Sequence, residues 1–229
     1  LDWLNGLDAE SRAAFDAAFR SISPNHMVEF AEEFGTHMAD IVCNGDVLLF
    51  DLLSLMQHDY YTYTHSVNVC TCAVALANML WDDAHADLKP IAAGSVMHDI
   101  GKRRIPRYVI RKRGALSEED RELIRQHPAI GFEEICMRQD VTWGGLMTVY
   151  QHHERIDGSG YPARLAGDEI HEWARICAVV DVFDALKSDR PYHKGRRIQD
   201  VLEYLESRAG RELDKEMVQC WNSAIKSKS

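Results

Sequence analysis

"YTYTHSVNVCTCAVALANMLW", residues 61–81, decides the fold class. The stretch is long and apolar enough to be a central, buried helix. One imidazole, His65, stands near its start. Working outward, the pattern stays helical nearly throughout. "LDAESRAAFDAAFRSI" (7–22), "PNHMVEFAEEFGTHMADIV" (24–42) and "DVLLFDLLSLM" (46–56) precede it, with apolar residues at three- and four-residue spacing. "LKPIAAGSVMHD" (88–99) has Pro90 near a helix start, where its missing N–H costs little. "SEEDRELIRQHPAIGFEEICMRQ" (117–139) opens with a Ser-x-x-Asp capping box, and Pro128 is expected to break or bend it just after His127. Further helices are expected over 142–154, 172–188, 197–209 and 213–227. Convincing alternating strands are nearly absent, and "RRIPRYVI" (103–110) is the one candidate for an extended piece. The fold class is therefore all-α: a helical bundle over 46–229, preceded by an N-terminal helical extension or linker over 1–45. Residues 1–45 are a linker, a cap on the bundle or a contact in a homodimer.

The 229 residues suffice for one large domain, or one domain plus an extension. Net charge is −10, a poor basis for bulk nucleic-acid binding. If the substrate is an anion, something local must reverse the field, and metal ions do that. No apolar run approaches the roughly 18–20 residues that span a bilayer. The chain starts at Leu1 with no signal peptide in view, so it is expected to be a cytoplasmic piece of a longer protein, free or membrane-attached. Six cysteines, Cys43, Cys70, Cys72, Cys136, Cys177 and Cys220, lack a CxxC pair and sit in helix-like apolar stretches, as reduced, packed thiols do.

The chemistry lies in the eleven histidines and their neighbours. "VMHDIGK" sets His98 against Asp99 where an apolar helix meets Gly101, and "RQHPAIG" puts His127 before a proline. "QHHE" supplies His152 and His153, and "VVDVFDAL" places Asp181 and Asp184 on an otherwise apolar helix. Taken singly, His65 and His127 read as core histidines, and His98-Asp99 as a helix cap. Asp181 is harder to dismiss, because a bare buried charge is very costly. Adjacent histidines on a helix lie about 100° apart, so His152 and His153 converge on one ion only along the edge between their faces. Together, five imidazoles and two carboxylates on separate helices are a typical inventory for two divalent metals in a bundle core. Asp99 is the natural bridge between them. Two such ions roughly 3.5–4 Å apart hold a hydroxide and clamp a phosphoryl group.

The ordered set "HS…HDIGK…H…HHERIDGSGYP…DVFDALKSDRPY", from about residue 46 to about 210, resembles the HD-GYP family of metal-dependent phosphohydrolases. The resemblance implies a helical bundle that hydrolyses cyclic di-GMP to pGpG and, in some members, on to GMP. It implies that His65, His98, Asp99 and Asp181 hold a first metal, and Asp99, His127, His152 and His153 a second. Iron or manganese is favoured, with nickel or zinc also compatible. Lys102 resembles a phosphate-facing lysine that stabilises charge on the scissile phosphate, and Arg190 of "SDRPY" resembles a substrate-phosphate contact. Asp184 either orients ligands or water or is an ordinary polar residue at the bundle edge. "RIDGSGYP" is turn chemistry that folds back beside the metals once the helix ends after Glu154, with Tyr161 facing the site or pinning the loop. In the family this loop is also a proposed contact for diguanylate cyclase (GGDEF) domains; the rival reading is a structural turn.

Two departures from the family pattern stand out. Three-metal members carry a glutamate where this chain has Tyr61, which implies two metals here. Where the family often has Lys or Arg after "RPY", this chain has His193 followed by Lys194, so the grip on substrate is weaker or more pH-sensitive. A second His-Asp pair, His58-Asp59, lacks the following Gly-Lys and reads as helix-entry or surface polarity. "KRRIPRYVIRKR" packs seven basic residues between Lys102 and Arg113, as a solvated loop or as a rim that draws in an anionic dinucleotide. The alternative function is a catalytically weak cyclic-dinucleotide sensor or interaction module working through the GYP loop.

Overall fold

The expected central helix forms as α1 (Tyr61–Leu80). From His65 to Ala77 every one of its residues is buried, as an all-round apolar helix must be. The computed structural model describes residues 61–81, 88–110, 112, 114–139, 141–188 and 194–227. The helices expected before residue 57, the 1–45 extension, Cys43 and the His58-Asp59 pair lie outside them.

After α1 come α2 (Lys89–Met97), a 3-10 turn (Ile100–Arg104), α3 (Arg107–Ile110), α4 (Glu118–Arg125), α5 (His127–Ile135) and α6 (Trp143–Gln151). A second 3-10 turn (Gly167–Glu169) leads to α7 (Glu172–Lys187), α8 (Ile198–Arg208) and α9 (Lys215–Lys226). The described residues contain no strand, only isolated bridges at Asp157–Ala166 and Ala209–Leu213. No described helix is long and apolar enough to cross a membrane.

Four helices close a ring: α1 packs on α2, α2 on α6, α6 on α7, and α7 back on α1. α5 and the first 3-10 turn seal one side, and α8 and α9 the other. On that second side Phe183 and Trp221, both fully buried, meet edge to face at 5.1 Å. Burying side chains of this size stabilises the fold by roughly 1.5–3 kcal/mol each. Cys70, Cys72 and Cys177 are buried free thiols, and burial pushes each pKa up, so they pack as small apolar groups.

Local signals place most helix starts. Ser117 and Asp120 form the expected reciprocal capping box of α4, and Pro90 occupies the first turn of α2. Two expectations are corrected. "RRIPRYVI" is not extended: the Pro106 carbonyl accepts from the N–H groups of Val109 and Ile110 and starts α3, burying Ile105 and Val109. Proline's fixed φ suits a first helical turn. The expected break at Pro128 is present but falls before His127 rather than after it: α4 ends at Arg125, and α5 begins anew at His127 with Pro128 in its first turn.

Candidate metal centre

Each candidate side chain sits where a helix of the ring starts, stops or faces inward. His65 lies in α1, and Asp181 and Asp184 in α7. His98 and Asp99 follow α2, and His127 is the first residue of α5. His152 and His153 follow α6, which ends at Gln151, three residues earlier than expected. The chain tightens there, with Glu154 N–H donating to the Gln151 carbonyl at 2.8 Å. The two histidines therefore leave the helix together, their ring centroids 4.2 Å apart.

Seven side chains assemble into two groups: His65, His98 and Asp181 in one, and Asp99, His127, His152 and His153 in the other. Within each group the donor atoms lie within 4.8 Å of one another. Asp99 joins the groups. Its Oδ2 lies 3.3 Å from His98 Nε2 and 3.7 Å from His65 Nε2. Its Oδ1 lies 3.1 Å from His127 Nε2 and 4.0 Å from His152 Nε2. Asp181 Oδ1 completes the first group, 3.2 Å from His65 Nε2.

The donor set fits divalent cations. His98 Nδ1 lies 2.7 Å from the Ser95 carbonyl, His127 Nδ1 2.7 Å from that of Ile124, and His152 Nδ1 3.0 Å from that of Val149. A carbonyl only accepts, so each Nδ1 carries the proton and each Nε2 presents a lone pair to the centre. His98 Nε2 and Asp99 Oδ1 are fully buried and have no hydrogen bond. Orphaned, inward-aimed acceptors of this kind need a positive centre between them. Protonation states agree. Burial, then neighbouring imidazoles, hold the His152 pKa well below its ordinary value, and burial and His152 do the same for His153. Burial opposes the charge of Asp99, but the Lys102 ammonium beside it holds its pKa well below the usual carboxylate range. The neutral His152 and His153 and the ionised Asp99 are in the forms a divalent cation requires.

A backbone contact lets the two sides meet. A Cβ on Gly101 would sit 2.0 Å from the His127 carbonyl oxygen and 2.6 Å from the Gly131 nitrogen. Only glycine allows α5 to come this close to the His98-Asp99 turn.

Residues 48–217 match the HD domain family. The chain belongs to that family. Its HD domain is similar to a cyclic di-GMP phosphodiesterase of Pseudomonas aeruginosa, 36% identical over 82% of this chain and 46% of that protein. It is also similar to the cyclic di-GMP phosphodiesterase response regulator RpfG of Xanthomonas campestris pv. campestris, 42% identical over 56% of this chain and 34% of that protein. The chain thus spans less than half the length of both relatives. An HDG"Y"P protein from Bdellovibrio bacteriovorus shares the fold, with a TM-score of 0.70 and 19% identity over 87% of this chain and 63% of that one.

Around the HD pair, Lys102 Nζ donates to Asp99 Oδ2 at 2.6 Å, and its side chain is 25% exposed. Tyr161 stacks on His153 at 4.7 Å. Asp184 is fully buried and not at the bundle edge: it lies 2.5 Å from His65 Nδ1 and accepts from Asn68 and Ser188. Lys194 is exposed, on a segment that returns to the end of α7 through Arg196 N–H and the Leu186 carbonyl. Arg190, His193 and the Tyr61 side chain lie outside the described residues. In the basic stretch, Arg104 pairs with Glu134 and Lys112 with Asp120, so part of its charge is matched within the chain.

The sequence reading missed Asn68, Ser188 and Glu154. Asn68 and Ser188 give no local signal beyond an amide three residues from His65 and a hydroxyl one turn after Asp184. Glu154 follows directly on the paired histidines, and its role depends on how the later loop returns.

Proposed function

We propose that this chain is a metal-dependent phosphodiesterase domain that hydrolyses cyclic di-GMP to pGpG, and onward to GMP if the linear product rebinds. The observation that carries the reading is Asp99, whose two oxygens face two separate groups of imidazoles. His65, His98, Asp181 and Asp99 Oδ2 would hold one divalent ion, and His127, His152, His153 and Asp99 Oδ1 the other. A bound pair of such ions supplies water acidified to near neutral pH and neutralises phosphoryl oxygens. The nitrogen and oxygen donor set, with no thiolate in either group, suits iron or manganese, and also nickel or zinc.

The chain's own residues do the rest. Lys102, beside Asp99 and partly exposed, places a cation where phosphate charge develops. Burial pushes the Tyr161 phenol pKa up, so it stays a neutral hydrogen-bond donor next to His153. Asp184 fixes the His65 tautomer and ring orientation. Arg190, His193 and Lys194 remain candidates for gripping the substrate phosphates. The RIDGSGYP loop, 155–162, where Asp157 and Ser159 are exposed, is the surface proposed to meet a diguanylate cyclase domain.

The test is metal analysis of anaerobically purified protein together with product chromatography on a panel of cyclic dinucleotides. About two metals per chain and conversion of cyclic di-GMP support the reading. Conversion of a mixed cyclic dinucleotide alone would reassign the substrate. Binding without turnover by metal-loaded protein would make the chain a sensor or interaction module.

A further inference from the structure

Glu154 is 2% exposed, yet its carboxylate belongs to neither group of donors. It reaches across the turn and accepts three consecutive main-chain N–H groups. Oε1 takes those of Ala163 and Arg164 at 2.7 and 3.1 Å, and Oε2 that of Leu165 at 3.1 Å. Successive N–H groups converging on one anion form a nest, and charge-assisted bonds of this kind are the stronger ones. Arg164 adopts φ 58°, a left-handed conformation that costs a non-glycine residue energy and persists only when its surroundings demand it.

The same loop lies directly on the Glu154 backbone. A Cβ on Gly160 would fall 2.4 Å from Glu154 Cα and from Arg155 N, so only glycine passes there. The next residue is Tyr161, whose N–H donates to the His153 carbonyl at 3.2 Å and whose ring stacks on His153 with 26° between the planes. Glu154 thus anchors the far side of a loop whose near side carries the aromatic ring over the donor cluster. Between residues 154 and 166 the loop has no helix, and its one bridge is Asp157–Ala166.

We propose that Glu154 is a positioning residue for substrate: by gathering the N–H groups of 163–165 it holds Tyr161 over His153 and sets how tightly the dinucleotide binds. This rests on the phosphodiesterase reading above. Glu154 acts through Tyr161 and touches no reacting atom. Its removal should weaken substrate binding while leaving the metal ligands in place.

The experiment compares wild type, Glu154→Ala and Glu154→Gln in metal-loaded full chain. Amide hydrogen exchange is read at 163–165, alongside metal content, kcat and KM for cyclic di-GMP. In Glu154→Ala, protection at 163–165 is lost while α1 and α6 stay protected. Metal content is unchanged, kcat stays within about threefold, and KM rises by about tenfold or more. Glu154→Gln keeps the shape and two acceptor contacts but turns an amide N–H toward a main-chain N–H, so it falls between the two. If the alanine variant does not fold, the glutamine variant carries the comparison. Wild-type protection and KM in the variants overturn the proposal. So does loss of metal and kcat at unchanged KM, which would mark a purely structural role. If the wild type converts no cyclic dinucleotide, the phosphodiesterase reading and the KM half fall together, and exchange at 163–165 alone decides whether Glu154 holds the loop.

Discussion

The Nε2 atoms of His127 and His152 lie 3.1 Å apart, while the Nδ1 atom of each ring faces a main-chain carbonyl. Two lone pairs at that distance repel, and both rings are fully buried. A divalent cation held by both rings would relieve that repulsion. Added divalent metal should therefore raise the midpoint of thermal unfolding, and chelation should lower it. At a free metal concentration of about 100 times Kd the gain is roughly 2.7 kcal/mol per site. Thermal scans with and without chelator check this; no shift with added manganese, iron, nickel or zinc would contradict it.

Asp184 touches neither reacting atoms nor the second group, but it sits 2.5 Å from His65 Nδ1. Asp184→Asn leaves the shape and removes the charge that orients His65. Metal affinity should fall by roughly 10–100-fold. The loss should be confined to one of two metal equivalents, which competition with a chromophoric chelator can resolve.

Gly101→Ala places a methyl group against the His127 carbonyl and the Gly131 nitrogen. Backbone cannot rotate away as a side chain can, so α5 must shift outward. A cost of about 1–3 kcal/mol is expected, as for other overpacked sites. Urea unfolding reads the cost. Because His127 moves with α5, metal content should fall as well.

Lys102→Ala removes the ammonium that donates to Asp99 Oδ2 but leaves all seven candidate donor side chains in the chain. Two metals per chain should remain, and kcat should fall by about 10²-fold, the scale of losing one preorganised charge-stabilising group. An equal loss of metal and activity would show that the lysine acts only through Asp99.

His171 caps α7, its Nδ1 accepting from Trp173 N–H at 3.2 Å. Burial holds its pKa below 6.5, Glu172 opposing and Arg175 adding to the shift. A depressed histidine pKa means that the folded chain prefers the neutral ring. The cap's contribution is complete above about pH 6.5 and fades as the pH falls toward the folded value. His171→Asn keeps the acceptor and removes the proton. Thermal midpoints of wild type and variant should therefore diverge, with the variant less acid-sensitive, between pH 7.5 and 5.5.

Helix identity was legible wherever a local signal sufficed. Apolar density announced α1, the Ser117–Asp120 box announced α4, and Pro90 marked the start of α2. Boundaries set by distant partners were not legible. α6 ends before His152 rather than after Glu154 because Glu154 is engaged by residues 163–165, which follow it by nine positions or more. The break expected at Pro128 falls before His127 rather than after it, because a proline is accommodated in the first turn of a new helix.

Sequence alone determined which side chains are available: five imidazoles and two ionisable carboxylates, in a fixed order, on segments whose periodicity makes them helices. It also determined that glycine stands at 101 and 160, where nothing larger passes. Tertiary structure decided which oxygen of Asp99 faces which histidines, which ring nitrogens carry protons, and what Glu154 does. Those facts arise where α1, α2, α5, α6 and α7 converge. They depend on ångström-scale distances across helix packings, and no local run of residues encodes such distances.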